Sequence, residues 1–459
     1  MNCQIQLSIV AVLSVCVPAA ATIINIPDDY TTIQAGINAS YDYDTVLVQP
    51  GIYFENLDIQ NINITLASLF AITGDEYYIW STIVDGDYAG SVITIECDSQ
   101  EKVAVIGFTV QNGSAMSGSG MYCSGSILMI AYNDIRYNYY YSDPLFCDGG
   151  GISCLNSSGV IKNNKIRLNI IFAGGWAIGG GIYCNNYSGA IANNIICVNE
   201  VKSAFIAAGG GIYCRNSSPL IINNVIYENR ARLLFNPFSD TTYGGAIYCE
   251  GGSLPTMVNC ILFDNYARLG PEIWPSTFSS ITYSLVTGGW SGEGNIGGDP
   301  SFREPYDHNF HLMAIECGNY LDSPCIDAGD PDIVETLLDC SWGLGTGRSD
   351  MGAYGGIDSA IVNIEDENLL TPSSYMSISS FPNPFNGKAI ISYNLPTKAE
   401  FTISIYNLLG QRVATILKNA GEAGEHSICW EATDYPSGVY FARLEAGGSS
   451  KTAKMVLLK

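Results

Sequence analysis

Gly211-Ile-Tyr-Cys-Arg-Asn-Ser-Ser-Pro-Leu-Ile-Ile-Asn-Asn-Val-Ile-Tyr-Glu-Asn229 decides the fold. Its β-prone runs are three to five residues long and alternate with Asn, Ser and Gly turns, so helical periodicity is absent. The unit recurs. Gly118-Ser-Gly-Met-Tyr-Cys123, Gly149-Gly-Gly-Ile-Ser-Cys154, Gly179-Gly-Gly-Ile-Tyr-Cys184, Gly209-Gly-Gly-Ile-Tyr-Cys214 and Gly244-Gly-Ala-Ile-Tyr-Cys249 open five copies. Ten residues after each Cys stands an Asn, at Asn133, Asn164, Asn194, Asn224 and Asn259. Five residues further come Asn138, Asn169, Asn199, Asn229 and then Asp264, which reads as an end-of-stack variation. Strands this short cannot pair within one unit, so each pairs with its equivalent in the next repeat, about 4.8 Å away. The expected fold class is all-β, a parallel β-helix followed by a small C-terminal β-sandwich. Inward Asn side chains would bond their stacked neighbours and satisfy the corner backbone.

The rest of each unit varies. From the second Asn position to the next Cys the distance is 16, 15, 15 and 20 residues, so insertions are confined to one place per coil. They carry Tyr139, Tyr140, Tyr141, Phe146, Trp176, Phe205, Phe235, Phe238 and Tyr243. Emerging from one corner of successive coils, they are expected to align into an aromatic ridge or cleft wall suited to sugar stacking or protein contact. The competing reading is a hydrophobic satellite cluster in which the loops shield the helix side.

The chain has 459 residues and a formal net charge of −24, with 47% hydrophobic and 14% charged residues. Such a chain buries a large core and is not a disordered acidic tail. Its Lys and Arg residues form no run, and nucleic-acid binding is not expected. Residues 23–358 hold 12 Lys/Arg against 35 Asp/Glu, whereas 377–459 hold 8 against 6. Between them 359–376 reads as a polar linker. At the start, the apolar run Leu7–Val17 followed by Pro18-Ala-Ala-Ala21 reads as a signal peptide, residues 1–21, which predicts export. No later stretch is long enough to span a bilayer, so the mature chain should hold no transmembrane segment.

The repeat resembles the right-handed parallel β-helix repeats of bacterial surface proteins, which share the pectin lyase-like architecture. The resemblance covers residues 22–358. Ile26-Pro-Asp-Asp-Tyr-Thr-Thr-Ile-Gln-Ala-Gly-Ile-Asn38 is similar to the segments that start such helices, with a short helix over 31–38 covering the first coil. Asp299-Pro-Ser-Phe302, His308-Asn-Phe-His-Leu312, Ser323-Pro-Cys-Ile-Asp-Ala-Gly-Asp-Pro331 and Asp350-Met-Gly-Ala-Tyr-Gly-Gly356 resemble closing motifs and read as last coils and cap. Residues 377–459, from Phe381-Pro-Asn-Pro-Phe-Asn386 to Lys454-Met-Val-Leu-Leu-Lys459, are similar to the type A C-terminal sorting domain of type IX secretion. That resemblance implies the type IX secretion machinery as partner, and a secreted or outer-membrane surface location in a Gram-negative bacterium.

Chemistry is less legible. The pectin lyase-like resemblance raises a polysaccharide lyase or glycoside hydrolase, which would need clustered carboxylates. Asp85-Gly-Asp87 and Asp330-Pro-Asp332 are the nearest acidic pairs; they read as solvated turns, with calcium the alternative that two carboxylates fall short of supporting alone. Arg136 and Lys102 lie near the first pair in sequence, Arg303 and Arg348 near the second. No catalytic residue, metal site or cofactor is assigned. The reading is a secreted or cell-surface scaffold, glycan-binding or adhesive and non-catalytic, with the carbohydrate-active enzyme as alternative; clustering of Asp, Glu, Lys or Arg in one groove would favour the enzyme. The repeat cysteines read as stacked buried thiols, and Cys317, Cys325 and Cys340 as disulfide candidates.

Overall fold

A computed structural model describes residues 21–459 except 99, 143–144, 235–240, 276–279, 334, 336–337, 339, 341–342, 356–376, 382–384, 396–398, 408–410, 422–423, 434, 447–448 and 458–459. The predicted linker and all but the last residue of the predicted leader lie outside the described residues, as do Phe235 and Phe238.

Among the described residues the solenoid is built on parallel sheets of ten, nine and eight strands. Each repeat contributes one strand to each sheet. In the ten-stranded sheet Ile127–Ala131, Ser158–Lys162, Ser188–Ala192, Leu220–Ile222 and Thr256–Val258 succeed one another. In the eight-stranded sheet Cys123, Cys154, Cys184, Cys214 and Cys249 stand in register, as expected, all buried as free thiols. The core between the sheets is filled by stacked side chains such as Ile130, Ile161, Ile191 and Ile221 from one sheet and Ile135, Ile166, Ile196 and Ile226 from another. Burying a side chain of this size contributes about 1.5–3 kcal/mol. The helix Ile33–Ala39 closes the N-terminal end: Thr32 Oγ1 accepts from Ala35 N at its start, and the Glu55 carboxylate accepts from Ile33 N and Gln34 N.

Two corners explain the repeated Asn. At each, a residue in the left-handed region, such as Asn193 (φ 52) or Val198 (φ 55), is followed by an inward Asn. Asn133, Asn164, Asn194 and Asn224 form one ladder, each Nδ2 donating to the next Oδ1 at 3.0–3.1 Å. The ladder then ends on Cys260, since Asn224 N donates to its sulfur at 3.4 Å. Asn259 therefore does not stack with the other four, against the ten-residue rule. The cause is one extra residue in the turn at Gly251-Gly252: the strand containing Cys249 pairs at an offset of 35 from Cys214, whereas Met257 pairs with Ile221 at an offset of 36. The same slip moves the second ladder to Asn138, Asn169, Asn199, Asn229 and Asn265. Asp264 takes the left-handed corner position instead (φ 57) and replaces no Asn.

The insertions are strands rather than loops. In each coil one strand leaves the second corner and another returns, giving two further four-stranded parallel sheets, from Tyr139–Tyr141 to Arg230–Leu233 and from Phe146–Asp148 to Thr242–Tyr243. Between them lies a small core of Cys147, Ile171, Ala173, Ala177, Val201, Ala207 and Ala231, and small residues let the two sheets approach closely. This fin joins the solenoid through the Gly-Gly-Gly turns. Gly209 has φ +64, and a Cβ on Gly210 would lie 2.6 Å from both Gly245 O and Arg230 N, so only glycine closes the neck.

The closing motifs do not simply cap the end. The described residues of 299–355 run back along the outside of the nine-stranded sheet, where Phe302, Phe310, Leu312, Cys325 and Met351 cover Ile195, Cys197, Val225, Tyr227 and Ile261. Asn259, displaced from its ladder, accepts from Asp330 N at 2.7 Å and donates to Ser349 Oγ at 3.0 Å, which ties this segment down. Cys317 and Cys340 form a disulfide within it, while Cys325 is a buried free thiol. Because every described free thiol except Cys429 is buried, Ellman's reagent should label Cys429 within minutes and the ten others only on unfolding. Rapid labelling of several thiols in the native chain would show that the cysteine stack is open.

Residues 377–457 form a sandwich of a three-stranded and a four-stranded antiparallel sheet over Ile391, Ile403, Ile405, Trp430, Leu444 and Leu457. Among the described residues no helix is long and apolar enough to cross a membrane.

Candidate functional site

The fin separates the expected aromatic residues into three environments. Tyr139 and Tyr141 point outward from the leaving strand, 41% and 66% exposed, with ring centroids 6.3 Å apart; Tyr141 stacks on Phe172 at 4.6 Å. Tyr140, between them, points into the alanine-rich fin core. Phe146 and Tyr243 lie on the returning sheet, packed with Ile178, Tyr183, Ala208, Tyr213 and Tyr248 where the fin folds against the outer face of the eight-stranded sheet. Trp176 is in register with Phe146 and stays exposed, and Phe205 is exposed in the turn between leaving and returning strands. One ridge is thus replaced by an exposed platform, a satellite core and isolated outward rings.

The tyrosines that complete the satellite core were legible in the repeat. In Ile-Tyr-Cys the Cys points inward, so the alternation of a strand puts Tyr183, Tyr213 and Tyr248 on the outside. In the second of the five copies Ser153 replaces Tyr, and with Ser117 it donates to the buried Asp148 Oδ1 at 2.7 and 2.6 Å. Burial pushes the Asp148 carboxyl up to about 6, against the lowering effect of the two hydroxyls.

A second array, on the outer face of the nine-stranded sheet, was not singled out by sequence. Consecutive coils stack Phe54, Asp85, Gln111, Arg136 and Arg167 in one row, with Thr109, Asp134 and Lys165 in the next. Upstream, the short helix Tyr77–Ser81 bonds to this face through Thr109 Oγ1, which donates to Ile79 O. Downstream the closing segment covers it, and His308 Nδ1 lies 3.7 Å from Cys197 Sγ. Burial first, then the Arg167 charge, lowers the His308 pKa. Between the two covers, Asp134 accepts from Arg136 Nη1 at 3.0 Å and from Arg167 Nε and Nη2 at 2.9 and 2.8 Å. Burial works against the Arg167 charge, but bonding to Asp134 outweighs it and the pKa rises.

Asp85 is not a solvated turn. It is buried, and it accepts from Asp87 N at 3.0 Å, Gln111 Nε2 at 2.9 Å and Asn112 Nδ2 at 2.7 Å. Asp330 does form a turn, accepting from Asp332 N at 3.0 Å. Among the described residues no group of three or more His, Cys, Asp or Glu gathers around a common metal position.

Charged row and aromatic platform meet at one corner. Tyr137, in the left-handed region at the end of the Asp134–Arg136 strand, lies under the Arg136 guanidinium at 5.7 Å, and Asn138 and Tyr139 follow directly. A guanidinium keeps donors beyond those used by Asp134, and the exposed rings keep free faces, so the arrangement can bond hydroxyls or acid groups beside a stacked ring.

No curated protein matches the chain. PorZ of Porphyromonas gingivalis, described as an essential bacterial surface component of the type-IX secretion system, is 18% identical over 18% of this chain and 12% of that chain, with a TM-score of 0.14, which carries no argument. Family models match residues 91–285 as a right-handed β-helix region and residues 379–458 as a secretion system C-terminal sorting domain. The chain is accordingly a right-handed β-helix protein that ends in a type IX secretion sorting domain, and it is exported as a secreted or cell-surface protein.

Proposed function

We propose that the exported β-helix binds a glycan without processing it, using the strip from Arg136 and Arg167 around the corner at Tyr137 to Tyr139 and Tyr141. The observation that carries this reading is the exposed pair Tyr139 and Tyr141, the latter stacked on the buried Phe172, one corner away from a fixed guanidinium pair. Aromatic faces bind the apolar face of sugar rings, and arginine donors suit their oxygens. A carbohydrate-active enzyme is favoured by the clustering of Asp85, Asp134, Arg136 and Arg167 on one sheet face. Against it, both carboxylates are buried and engaged by three donors each, which suits a structural role better than proton transfer.

The test is a glycan array followed by calorimetry on the full chain. Replacing Tyr139 and Tyr141 with Ser should weaken binding at least tenfold, on the order of 1–2 kcal/mol, with the melting temperature unchanged. Tyr140→Ser, emptying the fin core, should instead lower the melting temperature. Retained binding in the double variant would remove the platform from the site. Turnover of a bound polysaccharide, lost in Asp134→Asn, would establish the enzyme reading.

A further inference from the structure

Resting on the glycan reading, we infer that the ligand is an acidic polysaccharide, held at a cationic island that the fin and the nine-stranded sheet build together. Residues 23–358 carry 12 Lys/Arg against 35 Asp/Glu, a balance of −23. Six of the 12 cations nevertheless lie on just four strands of these two adjacent sheets: Arg136, Lys165, Arg167, Lys202, Arg230 and Arg232. Alternation places them outward, since Ile135, Ile166, Val201 and Ala231 between them are buried in the solenoid and fin cores.

The carboxylates on the same strands and their corners are Asp134, Glu200 and Glu228, so these strands carry a surplus of three positive charges where the surrounding domain is strongly negative. Two of these three anions are each shared between two cations. Asp134 bridges Arg136 and Arg167, and Glu200 pairs with Lys202 at 2.9 Å and with Arg232 at 3.5 Å. Registry sets Glu200 beside Arg230 and Lys202 beside Arg232 on neighbouring coils, one coil beyond Ile170 and Phe172. The stacking platform therefore leads straight into the cations. Neutral sugars have no use for surplus charge held against the sign of the whole domain; a chain carrying carboxylate, sulfate or phosphate groups at intervals does.

The experiment uses the full chain and three probes: polygalacturonate, its methyl ester, and single-stranded DNA of similar length. Polygalacturonate should bind at least tenfold more tightly than the ester, weaken about tenfold between 50 and 300 mM salt, and lose at least tenfold in the Lys202→Gln/Arg230→Gln/Arg232→Gln variant. The salt series on the unaltered protein reads the same interaction if that variant fails to fold. Ester binding as tight as that of the acid, still dependent on Tyr139 and Tyr141, would overturn the acidic ligand and leave glycan binding standing. DNA bound as tightly as polygalacturonate would overturn the polysaccharide as ligand in favour of an unselective anion surface. Binding of no probe would overturn the acidic ligand, while the glycan array separately decides the glycan reading.

Discussion

Asn199→Ala should destabilise the solenoid by about 3–5 kcal/mol, whereas Asp264→Asn should leave it within about 0.5 kcal/mol. Asn199 Nδ2 donates to Ile166 O at 2.8 Å and to Asn229 Oδ1 at 3.0 Å, and its Oδ1 accepts from Asn169 N and Nδ2 at 3.1 and 2.9 Å. Truncation strands the Asn169 amide, one Asn169 side-chain proton and the Ile166 carbonyl inside the protein, each costing about 1–3 kcal/mol. A water cannot replace the side chain without opening the neck, where a Cβ on Gly181 would already be 3.2 Å from Asn199 Nδ2. Asp264, which the regular spacing places in the same ladder, is exposed and only adopts the left-handed corner that Asn adopts equally well. Chemical denaturation followed by circular dichroism separates the two. Equal midpoints for the two variants would mean that the ladder contributes nothing beyond its backbone turns.

That contrast also marks how far the repeat could be read. Cysteine register and the inward Asn follow from period and alternation, because a solenoid repeats each environment every coil. One residue added at Gly251-Gly252 left the motif intact but moved Asn259 and Asp264 by one place, and only the backbone pairing at Met257 reveals it. The fin strands are hard to see in the sequence because alanine, which fills their core, carries little strand preference; the signal lies in alternation, as in Ile170-Ile-Phe-Ala173 and Glu200-Val-Lys-Ser203. The charged row on the nine-stranded sheet was hidden for a different reason. Its members sit one per coil, 25 to 31 residues apart, and their chemistry changes from Phe54 to Asp85 to Gln111 to Arg136, so no periodic residue type announces them. Asp85 beside Asp87 looked like a turn because the donors that bury it come from Gln111 and Asn112 on the next strand.

Acidification from pH 8 to pH 5 should raise the stability of the solenoid, unusually for a chain this rich in carboxylates. Glu272 ends the second Asn ladder, accepting from Asn265 Nδ2 at 2.7 Å, and burial pushes its carboxyl from 4.5 to about 7 despite that bond. Burial likewise raises Asp148 from 3.8 to about 6, and burial together with the Glu335 charge raises Asp350 to about 7. Between the unfolded and folded values the native state binds protons that the unfolded chain has released. Stability therefore falls as pH rises through roughly 4–7 and is flat above the folded values. A shift of this size at Glu272 amounts to about 3 kcal/mol at most. The net charge of −24 adds self-repulsion in the same direction, while His308, whose pKa is lowered on folding, opposes it below its ordinary value of 6.5. Melting temperatures measured at pH 5, 6, 7 and 8 should decline up to about pH 7 and then level off, and Glu272→Gln, which keeps an acceptor for Asn265 without a charge, should flatten the decline. A melting temperature that climbs with pH instead would mean that these carboxylates are ionised in the folded protein and that the ladder ends on a charge rather than on a protonated acid.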